Sequence, residues 1–334
     1  MRRIIFCAAL FAATFGSVNA QKTSLHVLNT FHIASPGWWD YIEVGPVHDW
    51  LYVSHGTQVN ILNKKTGDSV GVIENTAGVH GIAFDVKNNK GFTSNGRTNN
   101  VSVFDMNTNK VMAQIPTGQN PDAIMYESFS KKIITCNGRS KNLSIIDPIH
   151  NKVTDSVSIG GTPETAVSDG TGKIYVNVED KNEIAVVDAK TFKVINRWSL
   201  APAEGPTGLA IDIKTNRLFA GCDKLLMILD AGNGKVIDKL PIGDGCDGVA
   251  FDADTKNIYA SNGDGTLTLI HEKNKNKYSV IENIATKKSA RTLTLDKQTH
   301  LVYLPAADFE AADPKSKGRP KMKAGTFQVL VVGK

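Results

Sequence analysis

The sequence predicts an all-β fold, a seven-bladed β-propeller with four antiparallel strands in each blade. Three observations support this prediction. A segment of about 42 residues recurs seven times, each copy holds four short runs with strand-like alternation, and no window of ten or more residues has helical periodicity. Repeats of this length with four strands are typical of propellers. A chain of 334 residues that is 41% hydrophobic can fill such a core.

The first twenty residues predict a secretory signal peptide. Arg2 and Arg3 precede an apolar run from Ile4 to Phe15, and small residues follow up to Ala20. The apolar run is shorter than the roughly 20 residues that a bilayer-spanning helix needs. We therefore expect cleavage after Ala20, no membrane insertion of the mature chain, and export to the periplasm or the extracellular space.

Export changes how charges and cysteines are interpreted. Without the two signal arginines the chain has 36 basic and 33 acidic residues, so no large field of one sign favours nucleic acid or membrane. The remaining cysteines are Cys136, Cys222 and Cys246. They allow at most one internal disulfide, for which Cys222 and Cys246 in adjacent repeats are the candidates. A nucleophilic Cys222 is the alternative, but the sequence shows no adjacent base.

The repeats follow one another along the chain without a linker. The clearest copies begin at Val79, Pro121, Pro163, Pro206 and Cys246, and weaker copies begin at Trp39 and Ala290. In each copy a half-buried first strand precedes an aromatic, β-branched second strand such as IYV or LFA, and two further strands follow. Asn, Gly, Asp and Lys separate the strands, which is typical of β-turns.

The two ends of the chain are expected to close the ring together. The C-terminal segment TFQVLVVGK supplies the third strand of the last repeat, and residues 24–33, SLHVLNTFHI, match the pattern of a fourth strand. Pairing them would remove an open sheet edge. Residues 21–334 are therefore expected to form one propeller domain, as a monomer.

Several segments resemble a known family. The runs IYVNV, IYASNG and FTSNGRTNNVSVFD, at this period and behind a signal peptide, are similar to the YVTN-type (YncE-like) β-propellers of bacterial exported proteins, over roughly residues 40–334. The Gly-His and Trp-Asp signatures of WD-type blades are missing. The resemblance implies a fold and little about activity. Family members are ligand-binding or surface proteins, one branch is associated with single-stranded DNA, and related propellers host lyases, lactonases and electron-transfer sites.

One position of the repeat is expected to bring polar side chains together at one mouth of the central channel. The first strand of each blade lines the channel, and its start lies beside the end of the second strand. We call the seven equivalent residues at this start the anchor ring. They are Asp40, His80, Asp122, Glu164, Thr207, Asp247 and Arg291, with spacings of 40, 42, 42, 43, 40 and 44. Such varied chemistry at equivalent positions indicates an asymmetric polar or charged ligand, with a solvated channel mouth as the alternative.

Further candidate ligand-binding residues are expected next to the anchor ring. Trp38 and Trp39 directly precede it, and the others follow second strands. The latter are His55, Asn95, Arg97, Asn137, Arg139, Glu179 and Asn262. Asparagine before glycine is also ordinary turn chemistry, and the arginines could be solvated or paired with nearby carboxylates. His55 stands where other repeats have such an asparagine, so it is either a site residue or a turn residue.

The same side chains offer metal ligands and acid–base groups. Candidate ligands for a divalent metal are His55, His80, Asp122 and Glu164, with Asp40 and Asp247 beside them, since Ca²⁺, Mn²⁺ and Zn²⁺ accept carboxylate or imidazole. No short metal-binding motif is present. For catalysis the candidates are His80, Asp122 and Glu164, with Arg291 as an anion partner. A binding protein is therefore the first hypothesis, and a metal-assisted lyase or hydrolase is the alternative.

The segment DPKSKGRPKMK, residues 313–323, holds five basic residues from Lys315 to Lys323. It is expected to form a loop between the second and third strands of the last blade, on the face of the anchor ring. If this loop has a binding role, we expect its partner to be anionic, such as single-stranded nucleic acid. A surface interaction module is a further alternative. A solvated loop is the alternative, because few aromatic residues are interleaved for base stacking.

Overall fold

A computed structural model describes residues 24–311 and 320–334. The predicted signal peptide, residues 1–20, lies outside the described residues, as does most of the basic loop. The described chain forms seven four-stranded antiparallel sheets, in which each strand pairs with its neighbour along the blade. The predicted seven-bladed β-propeller is therefore confirmed.

The strands are numbered in chain order, and each blade is given from its innermost to its outermost strand. Blade 1 consists of β2 (Ile42–Val44), β3 (Trp50–His55), β4 (Gln58–Asn63) and β5 (Ser69–Ile73). Blade 2 consists of β6 (Val79–Asp85), β7 (Lys90–Asn95), β8 (Asn100–Asp105) and β9 (Val111–Pro116). Blade 3 consists of β10 (Pro121–Glu127), β11 (Lys132–Asn137), β12 (Asn142–Asp147) and β13 (Lys152–Ser158). Blade 4 consists of β14 (Pro163–Ser168), β15 (Lys173–Val178), β16 (Glu183–Asp188) and β17 (Lys193–Ser199).

The remaining blades complete the ring. Blade 5 consists of β18 (Leu209–Asp212), β19 (Arg217–Cys222), β20 (Leu225–Asp230) and β21 (Val236–Pro241). Blade 6 consists of β22 (Cys246–Asp252), β23 (Asn257–Asn262), β24 (Thr266–Asn274) and β25 (Lys277–Ala285). Blade 7 consists of β26 (Thr294–Asp296), β27 (Leu301–Ala306), β28 (Gln328–Gly333) and the N-terminal strand β1 (His26–His32).

The N-terminal strand closes the ring as the sequence predicts. Strand β1 pairs antiparallel with β28, from His26 opposite Gly333 to His32 opposite Gln328. The chain just before β1 also reaches blade 6, because the backbone amide of Leu25 donates a hydrogen bond to Glu282 at 3.1 Å. Blade 7 is thus held by both ends of the chain.

The core lies between neighbouring blades. The second and third strands of each blade are buried on both faces because another blade packs on each side. In blades 4 and 7 the tyrosine of the second strand also links two blades through its hydroxyl group. The Tyr175 hydroxyl donates to the carbonyl of Ala231 in blade 5 at 2.7 Å, and the Tyr303 hydroxyl donates to the carbonyl of Lys64 in blade 1 at 3.0 Å. Phe92 and Phe219 at the same position have no hydroxyl group and are fully buried, so the aromatic residues share their packing in the core.

Helical structure is confined to single turns. The described residues contain two 3₁₀ turns, Val86–Asn88 and Glu179–Lys181. In this part of the chain no helix has the length and apolar character needed to cross a membrane.

Candidate functional site

All seven anchor residues line one cavity of about 900 Å³ at one mouth of the channel. Trp38 and Glu179 line the same cavity. Since the seven positions are far apart in sequence, the circular arrangement of the blades brings them together. The structure therefore places this group where the repeat pattern predicts it.

Hydrogen bonds between blades fix the backbone of the anchor ring. Side chains at the second strand, or beside an anchor residue, donate to the carbonyl of the anchor residue in the next blade. These bonds run from Ser94 to Asp122, from Asn177 to Thr207, from Ser261 to Arg291 and from Thr292 to Asp40. The last of them, at 2.6 Å, joins blade 7 to blade 1. The cavity is thus built on the most rigid part of the ring.

Asp40 lies between two basic groups. Its carboxylate is 2.7 Å from His80 Nδ1 and accepts a hydrogen bond from Arg291 Nη2 at 3.0 Å. The Nε of Arg291 in turn donates to Asp247. Burial alone would lower the pKa of His80, but the hydrogen bond to Asp40 and the charge of Asp122 raise it to about 9. The His80 imidazole is therefore positively charged at neutral pH.

Two further carboxyl groups, in blades 3 and 4, are buried in the ring. Burial, together with the negative charges of Asp122 and Glu179, raises the pKa of Glu164 to about 10. Burial also raises the pKa of Asp122 to about 7, with His80 opposing the shift and Asp40 adding to it. Asp122 Oδ1 accepts no hydrogen bond from a described residue, but it lies 3.7 Å from His80 Nδ1. Glu164 forms neither a hydrogen bond nor an ion pair within the described chain.

An aromatic cluster forms one wall of the cavity. Trp38 is 42% exposed, lines the cavity, and lies 5.3 Å from Phe309 and 6.3 Å from Trp39 between ring centroids. Trp39 is buried and packs on Phe327 at 5.1 Å, so it supports Trp38 without lining the cavity. Of the two predicted tryptophans, the structure brings only Trp38 to the mouth.

Tyr41 forms the floor of the cavity, and the sequence analysis missed it. It lines both the mouth cavity and a smaller cavity of about 240 Å³ in the channel below. The repeat contains a signal that could have identified it. The residues at the same position in the other six blades are Gly81, Ala123, Thr165, Gly208, Gly248 and Thr292. One large side chain among six small ones can fill the channel.

Four of the predicted binding residues lie inside the blades. Asn95, Asn137 and Asn262 are fully buried at the ends of second strands and donate hydrogen bonds to the third strand of their own blade. His55 occupies the equivalent position in blade 1 and does not reach the cavity. Their prediction as channel-mouth residues is wrong, because the pairing of the second and third strands turns them into the sheet.

His55 makes contacts that account for all its polar atoms. Its Nδ1 lies 3.0 Å from Asn60 Oδ1 and 2.9 Å from Ser35 Oγ, and its Nε2 lies 2.9 Å from the carbonyl of Gly37. The ring packs on Phe327 with centroids 4.2 Å apart. Burial lowers the pKa of His55. It is a neutral structural residue, which removes it from the metal candidates.

The two predicted arginines have different positions. Arg97 and Arg139 are exposed, but only Arg97 lines a cleft that adjoins the cavity.

Cys222 and Cys246 are buried free thiols, each donating to a carbonyl of its own strand at 3.7 Å. The predicted disulfide between them is therefore absent from the structure. Burial raises the pKa of the Cys222 thiol to about 12, which also disfavours a nucleophilic thiolate.

One group of side chains has the spacing of a metal site. Single ligand atoms of Asp40, His80 and Asp122 lie within 4.8 Å of one another. All three are among the predicted ligands, whereas the predicted ligands Glu164 and Asp247 do not belong to this group.

The base of the basic loop also reaches the cavity. Asp308, Phe309, Glu310 and Pro320 line it, and the two sides of the loop pair through a bridge between Phe309 and Met322. The described base of the loop therefore lies on the face of the anchor ring. Residues 312–319, which carry three of its five basic residues, lie outside the described chain.

Comparison with known proteins supports the fold alone. No protein-family model and no curated protein sequence matches the chain. Among solved structures, it is similar to one described as Kuenenia stuttgartiensis hydrazine synthase, with a TM-score of 0.71 and 15% sequence identity. The match covers 82% of this chain and 94% of that chain. The chain is a β-propeller. At this identity the similarity carries no information on what this propeller binds.

Proposed function

We propose that this propeller binds a ligand with a positively charged group in the cavity at the channel mouth. The observation that carries the proposal is the excess of carboxylates on the cavity wall. The acidic residues lining it are Asp40, Asp122, Glu164, Glu179, Asp247, Asp308 and Glu310, and the basic ones are His80, Lys288 and Arg291. A cation that entered would relieve the repulsion among these carboxylates.

The most available carboxylate is that of Glu164. Asp40 and Asp247 are already paired with Arg291, and Asp308 is paired with Lys287. Glu164 forms no ion pair with any described basic residue. Because its pKa of about 10 keeps the free Glu164 carboxyl group protonated at neutral pH, an ammonium or guanidinium group beside it would displace this proton and gain a charge-assisted hydrogen bond in a partly desolvated site. Glu164 is therefore the proposed primary contact.

The aromatic wall and the size of the cavity favour an organic cation over a bare ion. Trp38 stands beside the carboxylates, and an indole ring attracts cations through its π-electrons. A volume of about 900 Å³ is within the range of small-molecule sites. A small amine, or the basic side chain of a peptide, fits this combination.

Isothermal titration with 1,5-diaminopentane tests the proposal. We expect the diamine to bind the wild-type protein and Glu164→Gln to weaken its binding at least about tenfold, since a charge-assisted hydrogen bond contributes roughly 1.5–3 kcal/mol. The matched control is Asp155→Asn, which removes an exposed carboxylate from β13, the outermost strand of blade 3. Absence of binding to the wild type, or equal effects of the two substitutions, would contradict the proposal.

A divalent metal is the second candidate ligand, favoured by the grouping of Asp40, His80 and Asp122. A metal held there could supply the Lewis acid of a lyase or hydrolase. His80 must lose its proton to bind a metal, so its pKa of about 9 predicts tighter binding as the pH rises. Titration with Zn²⁺ at pH 6.5 and 8.5, with Asp122→Asn as the variant, checks this candidate. Unchanged Zn²⁺ binding in the variant excludes the site.

We also propose that the chain is exported and belongs with the YVTN-type propellers. The support is the order of basic, apolar and small residues in the first twenty positions and the repeat motifs. N-terminal sequencing of protein recovered from the periplasm of a bacterial host is expected to begin at Gln21. Cytoplasmic protein that retains its first residues would contradict export.

A further inference from the structure

The charged residues of the anchor ring are not evenly distributed. The basic members, Arg291 and His80, are in blades 7 and 2, and Asp40 in blade 1 lies between them. The remaining acidic members are in blades 3, 4 and 6, and blade 5 contributes the neutral Thr207. Both basic members therefore lie in one arc of the mouth, from blade 7 to blade 2, where carboxylates of blades 1, 3 and 6 contact them. Glu164 in blade 4 lies outside this arc without an ion pair to any described residue.

A second cleft opens from this arc. It has a volume of about 310 Å³ and shares Trp38, Asp40, His80 and Arg291 with the main cavity. We call it the side cleft. Arg97 lines it as well and lies in the turn between the second and third strands of blade 2. The main cavity and the side cleft therefore adjoin at the four shared residues.

The walls of the side cleft depend on glycine where the chain passes close to Arg97. Gly78 has a φ of +72°, and a Cβ added there would lie 2.7 Å from the Cβ of Arg97. A larger residue would clash with the arginine and strain the backbone. Glycine at this point lets Arg97 stand directly against the cleft.

The side cleft carries a net positive charge. Two guanidinium groups, those of Arg97 and Arg291, face the single carboxylate of Asp40. Arg291 uses Nε and Nη2 for its bonds to Asp247 and Asp40, which leaves Nη1 without a hydrogen bond to any described residue. Arg97 forms no ion pair with a residue in ranges 24–311 and 320–334. The donors that two guanidinium groups offer here match a carboxylate.

We propose that the ligand is a zwitterion whose carboxylate enters the side cleft against Arg97 and Arg291 while its ammonium group lies against Glu164. This inference rests on the proposed function, because it assigns the second end of the same ligand. The class of compound is an amino acid with a basic side chain, or the end of a short peptide that carries one. These contacts at the two ends of such a molecule orient it across the ring.

Two matched probes test the proposal. L-Lysine and 1,5-diaminopentane differ only in the carboxylate. By isothermal titration we expect L-lysine to bind the wild-type protein about tenfold more tightly, as one charge-assisted contact allows. Arg97→Ala should abolish this preference, so that the two probes bind the variant equally.

Arg139 provides the matched control, because it occupies the equivalent position in blade 3 and does not line the side cleft. Arg139→Ala is expected to keep the preference for L-lysine. Equal binding of the two probes to the wild type, or a preference that survives Arg97→Ala or is lost equally in Arg139→Ala, would overturn the zwitterion proposal while the diamine still binds. If neither probe binds, the proposed function itself fails, and this inference fails with it.

Discussion

Glu164 combines a proposed role in binding with an unfavourable burial of its carboxyl group. A carboxyl group that is buried among other carboxylates favours its protonated form, which a bound cation would reverse. The cost of this arrangement should be measurable in the absence of any ligand, because burial and repulsion act on the folded state alone.

The first prediction concerns the pH dependence of stability. The folded-state pKa of Glu164 is about 10, above its ordinary value of 4.5, so the folded state retains a proton that the unfolded chain releases between these values. The contribution of this group to stability is full below pH 4.5 and is lost as the pH rises toward 10. Glu164→Gln should therefore stabilise the protein by about 1–2 kcal/mol at pH 8, a value reduced for partial solvent access, and have little effect at pH 4.5.

Urea unfolding at the two pH values measures this difference. Asp155→Asn serves as the control, and its effect should be the same at both. A Glu164→Gln effect that does not change with pH would mean that the carboxyl group titrates normally.

His55 gives the second prediction at the residue scale. Its buried imidazole contacts Ser35, Gly37 and Asn60, so His55→Ala removes these polar contacts and the packing on Phe327 and should cost about 2–3 kcal/mol. Asparagine occupies the same position in three other blades, so His55→Asn should recover part of the loss. Thermal unfolding measures both, and diamine binding should remain unchanged. Loss of diamine binding without loss of stability would show that His55 belongs to the binding site.

The sequence could identify the anchor ring but not the orientation of the residues behind it. The ring follows from the order of strands in a repeat, which fixes where each first strand begins. Whether the side chain of Asn95 or His55 faces the channel or the interior of its blade depends on the pairing with the third strand. An Asn-Gly sequence is compatible with both orientations. Tyr41 was missed because its role appears only when the same position is compared across all blades.

At the scale of the element, strand β1 determines whether blade 7 is complete. Phe31 on β1 is 4% exposed and packs beside Tyr303, with ring centroids 6.5 Å apart. Leu28 on the same strand is 44% exposed. Substituting each residue of this pair separates the contribution of side-chain packing by β1 from the contribution of its backbone pairing. The closure was predictable because the last of the seven repeats lacks its fourth strand and the N-terminal segment has the pattern of a fourth strand.

The third prediction uses this pair. Phe31→Ala should lower the free energy of unfolding by about 3–4 kcal/mol, because it leaves a cavity between blades 7 and 1. Leu28→Ala should cost less than about 1 kcal/mol, since its side chain is largely in water. Urea unfolding measures both values. Similar costs for the two variants would show that β1 contributes by backbone pairing alone.

At the scale of the whole molecule, the ring converts seven distant positions into one cavity. The repeat pattern predicted that these residues meet. It could not predict the loop of blade 7, whose Phe309 packs on Trp38, because that contact joins segments about 270 residues apart that share no repeat position. Nor could it predict the side cleft, which depends on the close approach of Gly78 to Arg97.

The central claim is that carboxylates at the channel mouth bind a positively charged group. A crystal structure of residues 21–334 with 1,5-diaminopentane tests it most directly. We predict an ammonium nitrogen about 3 Å from a carboxylate oxygen of Glu164, with the alkyl chain beside Trp38. Diamine bound away from the mouth, or a mouth without diamine at a saturating concentration, would contradict the claim.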